Sequence, residues 1–329
     1  IYGYNNIELP EKFNSSLSFS QKPDKNKFQN TVANLLCNNG FTEVMNTSLT
    51  NESYSAAIPG MADKNIALLN SLSSDLSVLR QTLLFSGLET IAYNLNRKTQ
   101  DVKIFEFGKT YQKENEAEWK YKESVHLSLF ITGKKHKEAW NASGDDADLF
   151  SLKGAVQSVF EKFGLHATIT IAADHDLLSD VITFSVNKKE LAVIGKVKQS
   201  LLKVADVKQP VYYADLNWDA LVKTATKIKI EYKEISKFPS VRRDLALLID
   251  SAVKFEQLES IARSTEKKLL KEVNIFDVYE GDKLEAGKKS YALSFILQDN
   301  EATLTDKQIE SVMAKLQKNF EEQLGAKVR

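Results

Sequence analysis

The stretch NIFDVYEG, residues 274–281, reads as a strand that ends in a turn, and the segments around it decide the fold of the C-terminal third. Before it, SVRRDLALLID (240–250) is a strand and KFEQLESIARSTEKKL (254–269) a helix, with Phe255, Leu258, Ile261 and Ala262 on its inward face. After it, the turn DKLEAG leads into a strand, KKSYALSFILQD (288–299). A second helix, TDKQIESVMAKLQKNFEEQLG (305–325), carries Thr305 and Gln308 at capping-box spacing and Gly325 as its stop, and a short AKVR strand closes the chain. The order β-α-β-β-α-β is the split pattern of a ferredoxin-like domain, a four-stranded sheet with both helices on one face.

That topology sorts side chains. Strict alternation along 274–281 sends Phe276 and Val278 toward the helices and Asp277 and Tyr279 to the open face. On the neighbouring strand it sends Tyr291, Leu293, Phe295 and Leu297 inward and leaves Ser290, Ala292 and Ser294 outward. A tyrosine among small residues on an open sheet is either a platform on which a base stacks or an ordinary solvent-facing ring. Residues 234–329 hold about as many acids as bases, so this is no general polyanion binder. Basic groups are nevertheless gathered locally: Lys237, Arg242 and Arg243 at the first strand, Lys288 and Lys289 leading into the third. Either Arg242 or Arg243 must face the helix side and snorkel outward, and the pattern does not choose between them.

The whole chain is a soluble globular type. It has 329 residues, enough for about two domains. Its 43% hydrophobic and 27% charged content is ordinary, its formal net charge is zero, and no apolar run approaches a transmembrane length. Zero net charge excludes a global basic field, so any RNA contact is local. The single cysteine, Cys37, lies in an apolar stretch and is expected to be a buried, reduced thiol in a cytoplasmic protein. The chain opens IYGYNNIELP without methionine or signal pattern and reads as part of a longer protein.

Upstream of the last third, residues 1–16 read as a polar tail and the remainder as a mixed region rich in strands. KPDKNKFQNTVANLLCNNGF (22–41) is a helix with Phe28, Val32, Leu35 and Leu36 at helical spacing, stopped at Asn39-Gly40. FTEVMNTSLT (41–50) reads as a strand. SDLSVLRQTLLFSGLETIAYNLNRK (74–98) reads as one helical stretch with Leu76, Leu79, Leu83, Leu84, Leu88 and Ile91 on a broad face. DVKIFEFGKTY, SVHLSLFITG, VITFSVN and ELAVIGKV are strands, several joined by charged hairpin-like turns. Strands with few βαβ alternations imply an α+β core built on a mainly antiparallel sheet.

SKFPSVRRDLALLI, IFDVYEG, GKKSYALSFILQD, TLTDKQIESVMAKLQKNF and GAKVR together resemble the ferredoxin-fold anticodon-binding domain of the bacterial phenylalanyl-tRNA synthetase beta-subunit family. LNSLSSDLSVLRQTLLFSGLETIAYNLNR, IFEFGKTY, HLSLFITG and DLFSLKGAVQSVFEKFG resemble that family's class II synthetase-like core, and IYGYNNI the end of its B5 domain. The chain departs from the family at AVIGKVKQSLL, which lacks a His-Pro often found after the glycine turn.

The resemblance implies three parts: the end of B5 and a linker at 1–16, a noncatalytic core at 17–232, and the anticodon-binding domain at 234–329. It implies a subunit of an ATP- and magnesium-dependent, cytoplasmic ligase that charges tRNA with phenylalanine. Its partners are then a catalytic alpha subunit, in a heterotetramer, and the tRNA, with no membrane. The anticodon-binding residues implied are Tyr279, Asp277, Arg242, Arg243, Lys288, Lys289 and Ser290. The family's magnesium and editing sites would lie further upstream, so this chain is expected to hold no cofactor.

The residues agree with a noncatalytic core. A class II active site needs an Arg-x-Glu strand motif, and IFEFGKTY has Glu106 but Ile104 where the arginine would stand. Without such cations nothing stabilises the charge that develops on a phosphoryl group. The four histidines, His126, His136, His166 and His175, lack metal-ligand spacing, and no phosphate loop or nucleophile motif occurs. The competing reading is a freestanding interaction protein that reuses both folds without a tRNA role.

Overall fold

The computed structural model describes residues 3–8, 12, 14–16, 24–71, 73–116, 119–141, 144–172, 174–228, 232, 234–281, 284–285 and 287–328. Residues 1, 2, 9–11 and 13 of the expected tail at 1–16, part of the 282–287 turn and the final arginine lie outside them. The chain divides into two compact units, Ile1–Ile230 and Glu231–Arg329.

The larger unit contains, in order, α1 (Lys25–Asn38), β1 (Thr42–Glu43), β2 (Leu49–Thr50), α2 (Glu52–Ala56), β3 (Val78–Leu79), α3 (Leu84–Leu95), β4 (Val102–Lys113) and β5 (Tyr121–Thr132). It continues with α4 (Leu149–Lys162), β6 (Thr168–Ile171), β7 (Leu178–Val186), β8 (Lys189–Val197), α5 (Gln199–Val204), β9 (Val211–Asn217) and α6 (Trp218–Ala225). Seven strands form one sheet in the order β1-β4-β5-β9-β8-β7-β6. Only the β1–β4 pair is parallel, so the expected mainly antiparallel α+β core is present. Between β7 and β8, Asn187 and Lys188 both have positive φ (51° and 64°), the geometry of a tight two-residue hairpin turn.

Alternation along the strands sends apolar residues to both faces. Phe105, Leu127, Leu129, Ile131 and Leu216 pack on one side with α1, α4 and α6. Val102, Ile104, Phe130 and Tyr213 pack on the other with α3 and α5. A Cβ at Gly87 of α3 would come within 2.0 Å of the Phe130 ring, so glycine sets how closely that helix approaches.

Three expectations change. Cys37 is exposed: α1 is capped by the Asp24 carboxylate and buries Val32 and Leu36, which turns the residue after Leu36 outward. Residues 41–50 are not one strand but β1 and β2, in different sheets. Residues 74–98 are not one helix: a 3-10 turn at Ser74–Leu76 and the strand β3 precede α3, and Leu76 is 40% exposed. Here Leu79 and Val78 pair with β2 and the Arg80 N–H donates to the Ser48 carbonyl oxygen at 2.9 Å, which holds the chain extended where apolar spacing alone suggests a helix. The central strand β9 and the short edge strand β6 are absent from the sequence reading.

The smaller unit is β10 (Val241–Asp250), α7 (Phe255–Thr265), β11 (Leu270–Tyr279), β12 (Lys288–Leu297), α8 (Asp306–Leu324) and β13 (Lys327–Val328). The sheet order β11-β12-β10-β13, antiparallel throughout, is the ferredoxin-like arrangement read from the sequence. The Gln308 side chain accepts from the Thr305 N–H at 2.9 Å, and Gly325 ends α8 at φ 61°, as its spacing predicts. One core lies between helices and sheet, from Leu247, Ile249, Leu258, Leu293, Phe295, Leu316 and Phe320. Among the described residues no helix is long and apolar enough to cross a membrane.

Candidate nucleic-acid interface

Both helices of the smaller unit cover one face of its sheet, and strand register places each candidate residue. On β10 the row Arg242, Asp244, Ala246, Leu248 lies opposite Ile296, Ser294, Ala292, Ser290 of β12, all on the helix-free side. On β11, Val273 and Ile275 sit opposite Phe295 and Leu293 on the core side. The register then slips: Asp277, not Phe276, is opposite Ala292, followed by Val278 opposite Tyr291 and Tyr279 opposite Ser290.

That one-residue bulge corrects the reading of the strand. Phe276 does not point at the helices. It is 51% exposed, and the Arg242 guanidinium lies 5.1 Å from its ring centroid on the helix-free face. Val278 falls on the core side by register but is also 51% exposed, so it is no core residue either. Asp277 and Tyr279 keep the outward side because the inserted residue restores the alternation after Ile275.

The seven candidate residues separate into two groups. Tyr279, Asp277, Arg242, Lys288 and Ser290 share the helix-free side. Arg242 donates from Nε and Nη2 to the Asp244 carboxylate at 2.8 and 3.3 Å, which holds its plane beside Phe276. Lys288 Nζ is 3.9 Å from Asp250. Tyr279 lies over Gly281, where any Cβ would come within 2.6 Å of its hydroxyl oxygen. Ser290 and Ser294 are buried, so the middle strand is no bare floor but is overlaid by its neighbours.

Arg243 and Lys289 are on the other side and do not join them. Arg243, opposite Phe295, is the arginine that snorkels, donating to the Arg242 carbonyl oxygen at 3.0 Å and reaching within 3.9 Å of Asp306 at the start of α8. Lys289, opposite Ile249, is buried with Nζ 4.6 Å from the Tyr291 centroid. The sequence reading missed Phe276 and Asp244, since nothing in a regular alternation announces a bulge. The face therefore offers exposed aromatic rings, a planar cation and a carboxylate, the groups that stack on and hydrogen-bond to unpaired bases.

In the larger unit one charged pair is buried. Glu106 finds its arginine in a distant segment: Arg80 Nη1 is 2.8 Å from Oε1, with the two side chains 4% and 1% exposed. Arg80 Nε donates to the Lys109 carbonyl oxygen at 3.0 Å, and Asn46 donates to both carboxylate oxygens. Ile104, where a class II arginine would stand, is buried in the core. The void beside this pair measures about 10 Å³, room for a water at most. Tyr54 closes over it, stacked on Phe85 at 4.4 Å, its hydroxyl on Glu89 at 2.6 Å; burial first, then that carboxylate, push its pKa up. Among the described residues no group of His, Cys, Asp and Glu is placed to hold a metal ion.

Comparison with known proteins follows the same division. Residues 9–218 match the family described as the phenylalanyl tRNA synthetase beta chain CLM domain, and residues 236–329 the ferredoxin-fold anticodon binding domain. Over its whole length the chain is 49% identical to the phenylalanine–tRNA ligase beta subunit of Bacteroides fragilis and 32% identical to that of Bacillus subtilis. It spans 42% and 41% of those two relatives. Among solved structures, pyrrolysyl-tRNA synthetase from Desulfitobacterium hafniense is alike in fold, with a TM-score of 0.50 at 17% identity over 63% of this chain and 71% of that one.

Proposed function

The chain belongs to the phenylalanyl-tRNA synthetase beta-chain family, and from that premise we propose that it is the C-terminal part of a phenylalanine–tRNA ligase beta subunit. In this reading residues 234–329 receive the tRNA anticodon. Residues 17–232 are a noncatalytic core that scaffolds a catalytic alpha subunit, and 1–16 end the preceding B5 domain. ATP and magnesium serve the alpha subunit of a cytoplasmic heterotetramer.

The observation that carries the proposal is the helix-free face with Tyr279, Asp277 and the Arg242–Phe276 pair side by side. The Tyr279 ring stacks on an anticodon base. Asp277 accepts from an exocyclic amine or ring N–H of a base edge, and Arg242 turns its free edge to phosphate or stacks a second base. The noncatalytic reading of the core draws on the buried Arg80–Glu106 pair, whose charges satisfy each other, so that Arg80 is not free to meet a phosphoryl group beside Glu106.

The test is tRNA affinity of the assembled alpha–beta enzyme carrying Tyr279→Ala. A base–aromatic stack contributes ~1–3 kcal/mol, so affinity should fall roughly five- to a hundredfold while thermal unfolding stays in place. Unchanged affinity in a folded variant removes Tyr279 from the interface.

A further inference from the structure

At the β1–β4 end of the larger unit lies a cleft of about 360 Å³ that has no part in the anticodon reading. Its walls are Thr90 and Asn94 of α3, Val44 and Ile104 at the sheet, and the segment 134–137 that follows β5. That segment is firmly placed. Gly133 turns at φ 85°, where a Cβ would come within 2.4 Å of the Gln100 carbonyl oxygen, and Asp101 accepts from the Lys134 N–H at 2.7 Å. Lys134 and Lys135 are each tied to a carboxylate at 2.7 Å, Asp146 and Asp148.

Two further lysines line the cleft without such neutralisation. Lys103 Nζ donates to the Lys135 carbonyl oxygen at 3.0 Å, and no carboxylate among the described residues pairs with it or with Lys137. His136 stands between the paired and unpaired lysines. Asp101, whose carboxylate accepts from the Lys134 N–H, is the one acid among the described residues of the wall. With Lys134 and Lys135 paired, Lys103 and Lys137 leave a concave site with excess positive charge, aliphatic side chains behind it, and hydroxyl and amide groups from Thr90, Thr99 and Asn94.

We infer that this cleft binds the phosphate of a nucleotide, with Lys103 and Lys137 on the phosphate and the nucleoside lying toward Val44 and Ile104. Lysine ammonium groups act on phosphate as point charges and need no fixed bidentate geometry. The volume sits at the lower end of the range of small-ligand pockets, where a mononucleotide fits and an inorganic ion leaves most of the space empty. The nucleotide comes either free or as one residue of an RNA strand.

Calorimetric titration of the 329-residue chain with AMP, adenosine and the 5′-phosphorylated dinucleotide pApA tests this. AMP should bind at least tenfold more tightly than adenosine. Lys137→Glu and Lys103→Met should each weaken AMP by tenfold or more with the unfolding temperature unchanged, Lys137 being exposed. Tighter binding of pApA than of AMP assigns the site to RNA, and the reverse assigns it to a free nucleotide. The inference falls if AMP does not bind, if adenosine binds as well, or if folded Lys137→Glu binds AMP like the parent. None of these outcomes touches the anticodon face, which lies in the other unit.

Discussion

The two sheets of this chain are built from similar antiparallel strands, yet one is covered on both faces and the other on one. The seven-stranded sheet has a separate apolar core on each side, so a charge that its strands carry under those cores must be matched inside the protein. Glu106 is matched by Arg80 and Asn46, and nothing is left to offer a ligand there. The four-stranded sheet has one core, and the charges on its other face meet solvent. Arg242 and Asp244 pair there at 54% and 49% side-chain exposure, an arrangement a ligand can displace at little cost. The same strand chemistry is thus a closed structural device in one unit and an open surface in the other, decided by whether helices cover the second face.

The strongest way to break this contrast is to remove one charge from the closed site. Glu106→Leu leaves Arg80 buried and unpaired and should destabilise the larger unit by about 3–5 kcal/mol, whereas Arg80→Met with Glu106→Leu should recover most of the loss. Urea unfolding of the single and double variants measures both. A single variant as stable as the parent would show that the pair is not closed.

Next in size is a pair of phenylalanines on opposite faces of the smaller sheet. Phe295→Ala, in the core, should cost about 3–5 kcal/mol. Phe276→Ala should cost only about 1–2 kcal/mol, from half a ring's burial and its contact with Arg242. Equal losses in thermal unfolding would place both rings in the core and reverse the bulge assignment.

The smallest effect is a pH dependence of the covered sheet. Burial alone would lower the pKa of His126, but the hydrogen bond to Asp215 at 2.7 Å and that residue's charge outweigh it, with Asp219 adding, so the folded value is raised above the usual 6.5. A raised folded value gives stability that is fully present below about pH 6.5 and is lost as pH rises through the folded pKa. The unfolding midpoint should therefore fall as pH rises across neutrality, and Asp215→Asn should flatten that slope. A midpoint rising with pH in the parent would reverse the sign.

The topology of the smaller unit is legible in the order of its amino acids, because local signals there agree with one another: two amphipathic helices, a capping box, a glycine stop and alternating strands. The antiparallel character of the larger sheet is legible in the same way, whereas Asp277 and Tyr279 face away from the helices only through the bulge, since plain alternation from the core-side Ile275 would turn both inward. Tertiary structure decided the rest, for reasons that are non-local. A bulge is a property of two paired strands, so the outward turn of Phe276 is invisible along β11 alone. Which arginine snorkels depends on register with β12, which puts Arg243 opposite Phe295. Residues 77–83 are not helical because Val78 and Leu79 pair with β2 while Arg80 reaches a carboxylate 26 positions away, and no apolar periodicity records contacts of that range.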